Sequence, residues 1–196
     1  MARMSAFIPP DQYRTKAFWI RSYVPGDGPR LAEATNASYV HLRTFMEWAK
    51  PHLSDVEAEL LCRRFRGRYL LREDFTLGIF SPDDGRLLGG TGFHLQGRSL
   101  ATKYAEIGMW IRADCAGRGL GTEVLRAMLD WGFDAWEWER LEWRCDTENV
   151  ASRRVAEKVG MRLEGLLRND ASPSGKRRDT YIFGILRNEW LRKRSK

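Results

Sequence analysis

The feature that most constrains this chain is a glycine-spaced run, Gly117-Arg118-Gly119-Leu120-Gly121-Thr122, set between a strand and a helix. Before it, Ala105, Ile107, Met109 and Ile111 alternate against Tyr104, Glu106 and Gly108, the period of a strand with one apolar face. After it, Gly121, Val124, Leu125, Met128 and Gly132 fall on one side of a helix. A strand-loop-helix unit of this kind aims its loop amides into the space ahead of the helix's positive end. That makes an anion site suited to a pyrophosphate. Glycine suits the loop because a side chain would hold the phosphate away from the amides. Arg118 could add a charge-assisted contact. Taken alone, the same run also reads as a tight structural turn.

Two nucleotide readings fall at once. No G-x-x-x-x-G-K-[ST] run occurs, so a Walker A loop is absent. The spacing here is G-x-G-x-G beyond the midpoint of the chain, not the G-x-G-x-x-G that opens a dinucleotide-binding unit.

The rest of the 196 residues is expected to form a single mixed α/β domain. Eight Trp, nine Phe and six Tyr exclude a disordered chain. The reading places a polar arm at 1–16, one domain at 17–190 and a basic tail at 191–196. Residues 18–24 read as a strand stopped by Pro25-Gly26-Asp27-Gly28, and 29–47 as a helical stretch. Ser54-Asp55-Val56-Glu57 is a capping box opening a helix with Leu61, Phe65 and Tyr69 on one face. Residues 75–80 and 86–95 form a hairpin about Ser81-Pro82-Asp83-Asp84-Gly85. Strands at 141–145, 161–167 and 180–186 follow, the first two separated by a short helix capped by Asn149 or Ser152 and ended by Gly160. A polar loop with Ser172-Pro173-Ser174-Gly175 joins the last two strands.

Charge and cysteine narrow the chemistry. A net charge of +7 favours anionic partners, but the basic residues are dispersed and do not interleave with aromatics, so direct nucleic-acid binding is not expected. Cys62, Cys115 and Cys145 show no C-x-x-C pair, and His41, His52 and His94 show no ligand spacing, so neither a disulfide framework nor a metal is expected. With no secretory leader pattern and no apolar run approaching ~18 residues, a reduced cytoplasmic setting without membrane contact is expected. Trp131, Trp136, Trp138 and Trp143 read as core or as an edge that could bury a homodimer contact.

Several motifs then stand in a telling order: Ile107-Gly108-Met109-Trp110-Ile111, the loop from Arg118 to Glu123, Cys145-Asp146-Thr147-Glu148-Asn149-Val150-Ala151-Ser152, Val159-Gly160-Met161, Leu163-Glu164-Gly165 and Asp179-Thr180-Tyr181. Together they resemble the GNAT superfamily of acyl-CoA-dependent N-acyltransferases, and within it the Rim-type ribosomal-protein N-terminal acetyltransferases. The likeness runs from about Phe18 to Trp190. One departure is Ala116, which stands where the superfamily loop commonly has Arg or Gln.

The resemblance implies an α/β (α+β) GNAT fold: a mixed, mostly antiparallel sheet of six to seven strands, splayed open and flanked by helices on both faces. It implies acetyl-CoA as co-substrate and an amine acceptor, foremost the N-terminal α-amino group of a protein, ribosomal proteins included. A small amine, a succinyl-CoA donor, and a catalytically silent acyl-CoA- or RNA-binding module are the alternatives. The pantetheine arm would pair along Met109, Trp110 and Ile111, where a backbone N–H would also meet the oxyanion, and the pyrophosphate would sit on Gly117, Arg118, Gly119, Leu120, Gly121 and Thr122. Asn149 matches a position that contacts pantetheine. Ser152 matches the hydroxyl that donates to the departing sulfur. Glu106 is the first candidate base, Asp170 a second, and Tyr181 a further possible donor.

Overall fold

The structure, a computed structural model, describes residues 7–171 and 175–195. Eight strands form one sheet: β1 Gln12–Arg14, β2 Trp19–Ser22, β3 Phe75–Phe80, β4 Leu87–His94, β5 Tyr104–Ile111, β6 Arg140–Asp146, β7 Arg162–Ala171 and β8 Arg177–Leu186. Their spatial order is β1-β2-β3-β4-β5-β6-β8-β7, and every pair is antiparallel except β5 with β6. The sheet is thus wider than the six to seven strands expected. The extra one is β1, inside the expected N-terminal arm, where Gln12 and Arg14 pair across to Arg21 and Trp19.

Helices cover both faces. On one side lie α1 Gly28–Ala37, the single turn α2 Tyr39–Leu42, and α3 Asp55–Leu70. The capping box at the start of α3 is present: the Glu57 amide donates to Ser54 Oγ while Glu57 accepts from the Ser54 amide. The helical stretch expected over 29–47 is broken at Ser38, because its hydroxyl accepts the Ala113 amide at 3.0 Å and so ties this turn to the end of β5. On the other side lie α4 Leu120–Ala135, α5 Val150–Val159 and α6 Arg187–Arg194. The expected basic tail is therefore largely helix. Trp190 is buried and donates to Asp130 at 3.0 Å, and Lys193 Nζ donates to the Val159 carbonyl at 2.8 Å. Of the expected polar loop, Ser172, Pro173 and Ser174 lie outside the described residues.

The alternation of β3, β4 and β5 explains the two cores. Phe75, Leu77, Ile79, Phe93, Ala105 and Ile107 face α4, together with Trp131, Trp136 and Trp138. Trp136 and Trp138 stack at 6.0 Å. Each such side chain taken from water stabilises the fold by about 1.5–3 kcal/mol. These tryptophans and Trp143 are buried within one chain, so they cannot form the expected dimer edge. Tyr23, Phe80 and Leu87 face the opposite way, onto Leu31, Ala34, Ala58 and Cys62 of α1 and α3.

Candidate functional site

Strands β5 and β6 start as parallel neighbours and then part. Pairing covers only Tyr104 with Arg140, Ala105 with Leu141 and Glu106 with Glu142, although β5 runs on to Ile111 and β6 to Asp146. Beyond Glu106, the edge of β5 that should face β6 has no strand to bond, the condition under which an extended ligand adds as a strand. Residues 108–111 are also where the alternating burial of β5 gives way to half-exposure. The space between the parted strands opens into a cleft of about 1180 Å³ that spans both faces of the sheet.

At the far end of β5 stands the glycine loop. Gly117 and Gly119 adopt φ of +75° and +94°, and Gly119 is the N-cap of α4 without any side-chain cap. A Cβ built at either position would meet nothing within 4 Å, so the space in front of the loop is open. The amides of Thr122 and Glu123 donate to the Gly119 carbonyl, whereas those from Gly117 to Gly121 have no backbone partner. Unclaimed amides, open space and the positive end of a 16-residue helix fit a phosphate. Arg118 is exposed beside them. This first turn packs near Val155 and Ile111, where a Cβ at Gly121 would make ordinary contact at 3.6 and 3.7 Å.

The first turn of α5 forms the opposing wall. Asn149 is the N-cap, its Oδ1 accepting the Ser152 amide at 3.0 Å, which leaves Nδ2 free toward the cleft. Ser152 is not the cap: its Oγ accepts the Trp143 indole N–H at 3.0 Å, which leaves the hydroxyl proton for a sulfur acceptor, Cys145 or one bound in the cleft. Burial pushes the neighbouring Cys145 thiol up, opposed by a hydrogen bond from Ser152, and a thiol so placed is a poor nucleophile. Tyr181 lies on β8 across from Cys145, beneath the Arg153 guanidinium, and does not line the cleft.

The other face of the fork is polar. Glu106 sits at the point where the strands part and accepts from Gln96 at 3.0 Å; burial raises its pKa. Asp170 is engaged by Arg144 at 3.2 Å on β7 and is not among the cleft-lining residues. Trp110 sets its ring edge-on to the exposed Trp48 at 5.8 Å, forming an aromatic rim. Its ring is accommodated because Gly90 has no Cβ, which would come within 2.4 Å of Trp110 Nε1.

Sequence reasoning missed one pair in this cleft, His94 and Asp74. His94 Nδ1 lies 2.9 and 3.1 Å from the two carboxylate oxygens of Asp74, and Thr76 donates to the same carboxylate at 2.9 Å. Burial alone would raise the Asp74 pKa; the hydrogen bonds from His94 and Thr76, with the charge of Arg68, hold it below the ordinary value. Among the described residues no group of three or more His, Cys, Asp or Glu gathers as a metal site, and no helix is long and apolar enough to cross a membrane.

Comparison with known proteins agrees with this geometry. The profile of the acetyltransferase (GNAT) domain matches residues 18–162. YdaF of Bacillus subtilis (strain 168), which bears the name "Putative ribosomal N-acetyltransferase", is 28% identical over 172 residues, covering 87% of this chain and 92% of its own. Among solved structures, Mycobacterium smegmatis RimJ in complex with CoA-disulfide is 26% identical with a TM-score of 0.78, covering 91% of this chain and 87% of that one. The ribosomal-protein-S5-alanine acetyltransferase of Vibrio fischeri shares the fold at 14% identity, with a TM-score of 0.77 over 92% of this chain and 99% of that one. A profile match across most of its length, on a sheet that parts beside a glycine loop at a helix N-terminus, places this chain in the GNAT acetyltransferase family, as an N-acetyltransferase.

Proposed function

We propose that the protein transfers the acetyl group of acetyl-CoA to the N-terminal α-amino group of a protein, ribosomal proteins being the first class to test. The observation that carries this reading is the fork: unpaired β5 backbone leads directly to the unclaimed amides of the glycine loop. Pantetheine would lie along Met109, Trp110 and Ile111, with Asn149 opposite, and the pyrophosphate on Gly117 to Thr122. The loop does not need the Arg or Gln that Ala116 replaces, since its donors are backbone amides.

The thioester would then sit at the parting of the strands. There the incoming amine attacks the carbonyl carbon directly, and a β5 N–H near Met109 or Trp110 receives the oxyanion, an effect worth about 3 kcal/mol. The Ser152 hydroxyl, fixed by the Trp143 indole, donates to the departing sulfur. Glu106 meets the amine with its carboxylate. Tyr181, which is not among the residues lining the cleft, is given no part in this reading. The cleft's breadth and its exposed aromatic rim favour a peptide terminus over a small enclosed amine. The name of YdaF supports a ribosomal acceptor, and the CoA-disulfide bound to RimJ supports a coenzyme A donor.

Calorimetric titration with acetyl-CoA, succinyl-CoA and CoA tests the donor. Intact-mass analysis of synthetic peptides with free Ala, Ser and Met termini then tests the acceptor. Binding followed by a peptide heavier by one acetyl group is expected. Absence of acetyl-CoA binding refutes the reading, and binding without any modified peptide refutes its acceptor.

A further inference from the structure

We propose that His94, held by Asp74, is the base that takes the proton from the acceptor amine, with Glu106 beside it as the charge partner of the arriving ammonium. This inference rests on the acetyl transfer proposed above.

Geometry carries it. Asp74 and His94 stand at the open end of the β3–β4 hairpin, just beyond the pair Phe75 and Phe93, and His94 is in turn directly across from Glu106 on β5. Neighbours of this kind have Cβ atoms about 5 Å apart on one face. The imidazole lies on a floor of glycine: a Cβ at Gly108 would come within 2.9 Å of Nε2, and one at Gly92 equally close to the ring. The sheet thus leaves room for this ring in this place, at the residue pair where β5 leaves β6.

The chemistry follows from hydrogen-bond inventory. An ionised carboxylate only accepts, so the Nδ1 facing Asp74 carries the proton, and Nε2 of the neutral ring keeps its lone pair. The charged groups around the ring are Asp74 with Arg68 of α3 behind it, Glu106, and beyond that Glu142 and Arg144 of β6. In the step, an ammonium N–H bond breaks, its proton moves to Nε2 and its electron pair becomes the nucleophile. The C–N bond forms and the C–S bond breaks. The second proton lost from nitrogen balances the thiolate, and the imidazolium returns its own to water.

The test compares His94→Gln, Asp74→Asn and Glu106→Gln using acetyl-CoA and the best peptide of the panel. Protonated imidazole cannot act as base, so the wild-type kcat rises with pH along an acidic limb. In H94Q a fall of about 100-fold or more near neutral pH is expected. Its limb should move toward the amine's own ionisation near ~8, while acetyl-CoA affinity and melting temperature hold. E106Q should raise KM for the peptide and leave the limb in place. Independently of turnover, imidazole nitrogen NMR of the free protein should show His94 protonated at Nδ1 and bare at Nε2, a pattern lost in D74N. H94Q within about threefold of wild type with an unmoved limb would falsify the proposal, as would an Nε2–H tautomer. A wild type that modifies no peptide removes the transfer itself, a different failure.

Discussion

Ser152 and Asn149 share the first turn of α5, and their hydrogen bonds separate their roles. Asn149 holds the helix end through the Ser152 amide, whereas the Ser152 hydroxyl accepts from Trp143 and can turn its proton to the Cys145 sulfur or to a sulfur bound in the cleft. Asn149→Ala should therefore cost about 1 kcal/mol of stability, the loss of a cap, and weaken acetyl-CoA in a calorimetric titration. Ser152→Ala should keep donor affinity yet lower turnover about 10- to 100-fold, near or below the low end for proton-transfer groups because a thiolate leaves readily. It also strands the Trp143 indole, at about 1 kcal/mol. Equal turnover in S152A and wild type would remove the serine from the chemistry. Ser152 was legible as a candidate because it sits in a motif, but its choice between cap and donor was not, since the deciding partner is a tryptophan nine residues back on another element. His94 was invisible for a related reason. A lone histidine has no spacing to read, and Asp74 lies twenty residues earlier. Hairpin symmetry was the available signal, but β3 and β4 slip register between Ile79 and Phe80, so counting from the turn would have paired the wrong residues.

Strands and helices were more legible where one period governed them. The β3–β4 hairpin, β5 and the α3 capping box appear where turn chemistry and alternation put them. Elements fixed by distant contacts were not. The break at Ser38 depends on the Ala113 amide, and the docking of α6 depends on Asp130 and the Val159 carbonyl, neither of which has a local signature. Residues 187–194 are so rich in charge that their sequence reads as solvated, yet Trp190 is buried and Lys193 is tied to α5. Trp190→Ala should cost about 3–5 kcal/mol, the range for deleting a buried tryptophan, read by denaturant unfolding. A change below 1 kcal/mol would mean that α6 contributes little to the fold. The point where β5 leaves β6 is likewise unmarked in periodicity, since apolar alternation continues through Ile111; the likeness of motifs to a family, not the period, located it.

For the molecule as a whole, the parted sheet links donor binding to stability. A ligand that bridges β5, the glycine loop and the α5 turn binds the folded chain alone, because those three walls come together only when the sheet and its helices are assembled. At acetyl-CoA about 100-fold above its dissociation constant the fold should gain about 2.7 kcal/mol. For a domain of this size that is a rise of about 5–10 °C in melting temperature. With the pyrophosphate on the α4 terminus and its exposed loop, as proposed, part of that gain is charge interaction and should shrink as salt is raised. Gly119→Glu separates this effect from simple damage. With φ at +94° and nothing within 4 Å of a new Cβ, the substitution strains the loop by about 1–2 kcal/mol without a clash, so the protein should still fold. Its carboxylate would occupy the helix end in place of phosphate. A lowered baseline with no response to acetyl-CoA is the expected melt, and a variant that responds like wild type would place the pyrophosphate somewhere other than this loop.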